Sequence, residues 1–281
     1  MTTPSAAAPA DPADPAEPSP ASRLALLPAV GVSASAFLLF ALQLAGCGHL
    51  LLALSLLGAV LVSRELTKDL ALIGTGITIV STTSVVASVD WDRFLTIGAV
   101  LLLAVLVPAA VDRLLLRRRA IRFPLRTGEP WTRLEKGYIV AVPFLGWLIL
   151  PFYFITSGVY RNWPHLADGG EVARFFAGVN FVGTWDELFF ICTRFALLRR
   201  HFGVWTANLL QATIFVSFLW ELGYQAWGPL LTAPFALLQG WLFARTGSLL
   251  YVLIVHLLFD VVVFLAIVHA RHPGAIPIFL I

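Results

Sequence analysis

The chain has 281 residues, of which 59% are hydrophobic and only 12% charged, with a formal net charge of +3. A soluble domain carries about 25% charged residues, so this composition excludes a water-soluble enzyme and points to a polytopic membrane protein. The small positive excess lies between apolar runs rather than on one face, which excludes nucleic acid as a partner and leaves membrane lipid as the first one.

Residues 1–22 after the initiator Met are mostly Ala, Pro, Ser, Thr, Asp and Glu. They have neither the basic start nor the apolar centre of a cleavable signal, and they read as a disordered cytoplasmic tail. Apolar runs of this length say helices, because a lipid-exposed backbone must satisfy its own hydrogen bonds. They predict an all-α polytopic transmembrane helical bundle of about 8–9 spans, at about 27–46, 50–63, 69–89, 94–111, 137–157, 175–198, 204–224, 229–244 and 248–268. The second is short and has a re-entrant segment as its alternative. Cys47 and Cys192 are the only cysteines, one expected at a helix end and one inside a helix, so no disulfide framework is expected.

Between the fourth and fifth spans lies the strongest basic cluster, from Arg113 to Lys136. Placed in the cytoplasm, it brings Arg23, Arg64, Lys68, Arg199, Arg200 and Arg245 to the same side, as the positive-inside rule requires. The expected organisation is a tail over 1–22, a four-span bundle over 23–111, a basic cytoplasmic linker over 112–136, a core over 137–268 and a C-terminal tail over 269–281. The N-terminus is then cytoplasmic, and a bacterial plasma membrane is the expected setting.

Polar groups inside the spans carry the functional argument. An acid at a helix centre costs roughly 2.5–3.5 kcal/mol on insertion, so intramembrane carboxylates mark candidate sites. Asp186 and Glu187 are adjacent in the middle of one span. Neighbours on a helix point about 100° apart, so one can face a reacting water while the other is held. Arg194, seven residues after Glu187 and nearly on its α-helical face, is the expected ion-pair partner of Glu187, leaving Asp186 free. Glu221 lies near the outer end of a later span, where it could be interfacial. His256 and Asp260 stand at i and i+4 on the last span and share a face; the acid can fix the imidazole tautomer. Gln211 and Gln239 are expected to hydrogen-bond across helices or to line a cavity. His49, His165, His201, His269 and His272 fall in loops or at helix ends and are expected to be solvated. The chain has no Gly-rich phosphate loop, no His-Glu-x-x-His and no Gly-x-Ser-x-Gly.

Asp186-Glu187-Leu188-Phe189-Phe190-Ile191, Ser217-Phe218-Leu219-Trp220-Glu221 and His256-Leu257-Leu258-Phe259-Asp260 resemble, in order, the three motifs of the CAAX-protease and bacteriocin-processing (CPBP, or Abi) family. Those motifs are Glu-Glu-x-x-x-Arg, Phe-x-x-x-His and His-x-x-x-Asn/Asp. Gly240 to Leu249 resembles the family's lead-in to its last helix, and the likeness covers about 137–268. The resemblance implies an intramembrane endopeptidase that hydrolyses a peptide or protein substrate at the membrane through carboxylate-activated water. By position Asp186 becomes the general base and Glu187 its neighbour, Glu221 a second water-holding group, and His256 with Asp260 the oxyanion site, with Arg194 in support. The chain departs from the pattern in having Asp for Glu at 186, Ile191 for Arg, Ser217 for Phe and Glu221 for His. No cofactor is required by the resemblance, and a divalent metal held by Asp186, Glu221 and His256 is the alternative chemistry. The rival functions are a catalytically altered pseudoenzyme acting as a membrane scaffold, maturation or immunity factor, and a small proton-coupled transporter.

Overall fold

The computed structural model describes residues 20–128, 130–274 and 276–281; most of the expected 1–22 tail lies outside them. The described chain is helical without strands. Its long helices are α1 (Pro20–Ala36, continued as a π segment Phe37–Ala41), α2 (Ala45–Val62), α3 (Arg64–Val80), α4 (Trp91–Ala110, with a π segment Val111–Leu115) and α5 (Arg133–Thr156). Then come α6 (Gly169–Asp186), a nine-residue π segment Glu187–Phe195 and its closing turn α7 (Ala196–Leu198), followed by α8 (Val204–Leu222), α9 (Pro229–Thr246) and α10 (Leu249–Arg271). Six of these are long and apolar enough to cross a membrane: α1, α2, α4, α5, the α6–α7 unit and α10. The expected helical membrane bundle is present. The second span is a full 18-residue helix, longer than the apolar run suggested.

Local chemistry sets the boundaries. Thr132 and Glu135 form a capping box at the start of α5, and Asp168 caps α6 by accepting from Glu171 N at 2.8 Å. Gly247, at φ 61°, ends α9 in a left-handed conformation that a residue with a Cβ adopts poorly. The third span is where expectation fails, because the helix stops at Val80 rather than near 89. Residues 81–84 are Ser-Thr-Thr-Ser, and the hydroxyls of Ser81 and Thr82 bond back to Thr78 O and Ile79 O. Such side chains compete with the backbone ladder and favour helix ends. Residues 85–90 are then irregular and reach α4.

The inner layer is the α6–π–α7 unit with α8 and α10. α5 packs on α10 and α9 on α8, while α1 packs on α8, and α4 on α6. α1, α3 and α4 therefore touch the core directly, and Trp185 Nε1 donates to Leu101 O of α4 at 2.6 Å. At one end of the bundle, buried Asp69 and Asp112 gather Arg118, Arg200 and His201. His201 is thus a hydrogen-bond partner of Asp69 at 2.7 Å rather than a solvated side chain. The basic linker is tied to the core as well, because Leu249 N and Leu250 N donate to Pro124 O and Leu125 O.

Candidate active site

Asp186 is the last residue of α6 proper and Glu187 the first of the π segment. A π segment packs i→i+5 bonds into wider turns and recurs at functional sites. Both carboxylates are buried. From α10, buried His256 reaches Glu187, with Nδ1 2.6 Å from Oε1. From α9, Gln239 Nε2 donates to the same Oε1 at 2.7 Å and to Val252 O of α10 at 3.1 Å. Three helices thus meet on one oxygen. Nδ1 and Oε1 share a hydrogen bond, which leaves Nε2 turned away from Glu187. Nε2 lies 3.7 Å from Asp186 Oδ2 and 3.8 Å from Asp260 Oδ1, so the i,i+4 pair on α10 does share a face and Asp186 joins it.

The floor under this cluster is Gly183. A Cβ built there would run into Asp260 Oδ2 and stand 3.2 Å from His256 Cδ2, so only glycine lets the Asp260 carboxyl lie against α6. Phe235 holds the imidazole edge-on at 5.0 Å and stacks on Phe259. Asp186, His256 and Asp260 form one polar stretch in the wall of a mostly apolar cavity of about 540 Å³ that extends towards α4 and the 85–88 segment. Asp186 Oδ1, Glu187 Oε2 and Asp260 Oδ2 are buried and have no hydrogen-bond partner among the described residues. Buried oxygens are seldom left so, and the two that belong to cavity-lining residues can accept from water or a bound substrate.

Two expectations are corrected. Arg194 does not pair with Glu187. It is fully buried, donates from Nη1 to Phe189 O at 2.9 Å, and lies on the face of the Phe189 ring. The reason is the π segment: seven residues make about two turns of α-helix but less than two of the wider π turn, so Arg194 rotates away. Glu221 does not line the cavity; it accepts from Val85 N at 3.2 Å and caps the irregular 81–90 stretch. The α8 residues that do line the cavity, Leu219 and Leu222, are apolar. The metal set Asp186–Glu221–His256 is therefore not assembled, and among the described residues no group of three or more His, Cys, Asp or Glu is arranged to hold a metal.

Sequence reasoning left Gln239 with two readings and missed Gly183. Of the two glutamines, Gln211 bonds across to Ala236 O at 3.0 Å and to Asn208, and Gln239 also reaches Glu187. Nothing in a lone intramembrane glutamine distinguishes these two uses.

A comparison with known families bears on the core. Residues 168–262 match the family model of the Type II CAAX prenyl endopeptidase Rce1-like proteins. The match runs from the cap of α6 into α10 and includes all the polar groups just described. It is consistent with the CPBP resemblance and supports, in general terms, an intramembrane endopeptidase of the CAAX-protease type, integral to a lipid membrane. It covers about a third of the chain, and α1–α5 lie outside it. No curated protein and no solved structure gives a significant match.

Proposed function

We propose that this protein hydrolyses a peptide bond within the membrane by water activated at Asp186. The observation that carries the proposal is the convergence of Asp186, His256 and Asp260 on one wall of an apolar cavity, with Glu187 and Gln239 fixing the imidazole from behind. A water hydrogen-bonded to Asp186 loses its proton to that carboxylate as its oxygen attacks the substrate carbonyl. His256, protonated on both ring nitrogens and held at Nδ1 by Glu187, donates from Nε2 to the oxygen that becomes negative. Asp260 orients the same nitrogen from below. The proton taken by Asp186 then passes to the departing amine as the C–N bond breaks. Fixed donors in a water-poor site count for most of such an acceleration. The charge bias of the sequence puts the Asp69–Arg118–Arg200 end in the cytoplasm, so the cavity reaches towards the opposite face.

The test is hydrolysis by the full chain in nanodiscs, in water enriched in oxygen-18. Wild type is expected to place the label in the new carboxyl group. Asp186→Asn is expected to reduce the rate by about 10²–10⁴-fold, the usual worth of a general base. Equal rates in the two would overturn the assignment.

The apolar Leu219 and Leu222 supply a second reading, because α8 brings no polar group to the cavity where the resemblance expects one. A protein that keeps the fold and binds a partner segment without cutting it would show this pattern. It predicts that Asp186→Asn supports the biological role as well as wild type does.

A further inference from the structure

The cavity has a second polar landmark that the hydrolytic mechanism leaves unused. Arg174, in the second turn of α6, lines the same space as Asp186, His256 and Asp260. Its guanidinium is aimed rather than free. Nε donates to Val89 O at 2.9 Å, and the group lies over the Trp91 ring at 5.0 Å. Neither Asp168 nor Glu171, the acids of the same helix end, forms an ion pair with it: Asp168 accepts from Glu171 N and Glu171 from Ala167 N. Cation at the mouth, apolar walls between, acids and imidazole at depth: the complementary occupant is an extended apolar peptide whose carboxylate meets the cation.

We infer that Arg174 is a substrate subsite that binds a peptide carboxylate and thereby sets which bond reaches Asp186. This rests on the proteolytic reading of the site. Residues 174 to 186 belong to one uninterrupted α-helix, which fixes the rise between their Cα atoms. Twelve residues at about 1.5 Å each give about 18 Å. An extended peptide covers about 3.3 Å per residue, so about five to six residues separate the anchored carboxylate from the bond that is cut. Trp91, stacked under the guanidinium, keeps the cation at that spacing instead of letting it swing into water.

The experiment uses the full chain in phosphatidylcholine nanodiscs and a set of apolar dodecapeptides, blocked at both ends, in which one Glu is moved a position at a time. A second set has a free C-terminus and no Glu, which separates a terminal carboxylate from a side-chain one. Cleavage positions are read by mass spectrometry, and binding is read separately with Asp186→Asn protein by thermophoresis. The expected result is a cut that moves with the carboxylate at a constant spacing of about five to six residues. Binding is expected to weaken about tenfold when Glu is replaced by Gln, as for one charge-assisted hydrogen bond. Arg174→Gln is expected to abolish both dependences, and Arg174→Lys to restore binding but blur the spacing. A cut position indifferent to the carboxylate, or the same dependence in Arg174→Gln, overturns the inference while leaving proteolysis standing. Carboxylate-dependent binding without any cutting overturns proteolysis and keeps the anchor. Absence of both binding and cutting overturns both. If phosphatidylglycerol in the discs erases the preference, Arg174 belongs to a lipid headgroup and the inference falls.

Discussion

At the scale of single residues, the site is held by small choices that leave little slack. Gly183→Ala adds one carbon where the Asp260 carboxyl lies. Displacing a reacting group by about 1 Å can cost about 10²-fold, so peptide hydrolysis is expected to fall by that order while the unfolding temperature in detergent changes little. Gln239→Leu removes the donor that pins Glu187 Oε1. The expected result is a kcat at least tenfold lower with KM nearly unchanged, since Gln239 acts through Glu187 and is placed to touch no substrate; loss of one buried hydrogen bond is worth about 1–3 kcal/mol. A Gln239→Leu enzyme with normal kcat would remove Gln239 from the positioning role. Both residues show why a sequence reveals acids more readily than their supports. Asp186, Glu187, His256 and Asp260 are conspicuous because ionisable groups are expensive inside a membrane. Gly183 and Gln239 resemble ordinary packing residues until the helices are brought together.

At the scale of elements, the π segment Glu187–Phe195 organises the core and explains the largest error in reading the chain. A 3.6-residue period puts Glu187 and Arg194 on one face; the wider turn separates them, and every residue from Phe189 to Phe195 is buried. Nothing in Leu188-Phe189-Phe190-Ile191-Cys192 signals the change of winding, because all of it is apolar or nearly so. Arg194 is left with one hydrogen bond to Phe189 O and no carboxylate among the described residues within ion-pair range. Burying a charge without a partner is costly, so Arg194→Met is expected to fold at least as stably as wild type and to keep its hydrolytic rate. A midpoint of thermal unfolding lowered by several degrees, with lost activity, would show that the guanidinium does more than pack on Phe189. The third helix departs from expectation too, for a reason the chain does carry. Its expected span ran on to 89 although the chain carries a stop in Ser-Thr-Thr-Ser, and the hydroxyls that end the helix at Val80 also free the 85–88 backbone to line the cavity and to meet Glu221.

At the scale of the whole molecule, helices outside the matched family segment help to build the site. α4 supplies part of the cavity wall, and Asp69 of α3 is joined to Arg118 of the linker at 2.6 Å and Arg200 after α7 at 3.1 Å. Asp69 is buried whereas Arg118 and Arg200 are partly exposed, so Asp69→Asn is expected to lower stability by roughly 2–3 kcal/mol, less than a fully buried pair would cost. The check is a thermal unfolding curve in detergent at low and high salt, the two variants converging as salt rises. An unchanged midpoint would mean that apolar packing alone holds the two halves together. The apolar runs were enough to read the helical bundle. They could not show that α1 packs against α8 and α4 against α6, because lipid-facing and helix-facing apolar positions look alike in a sequence.

The measurement that tests the central claim most directly is a terminal-peptide proteomic comparison in a deletion strain. The strain is complemented with wild type, with Asp186→Asn or with His256→Ala, each shown to reach equal levels in the membrane. New peptide termini from membrane proteins that appear with wild type and vanish with both variants are the predicted result, and they name the substrate. The same set of termini in all three strains would contradict hydrolysis at Asp186 and His256.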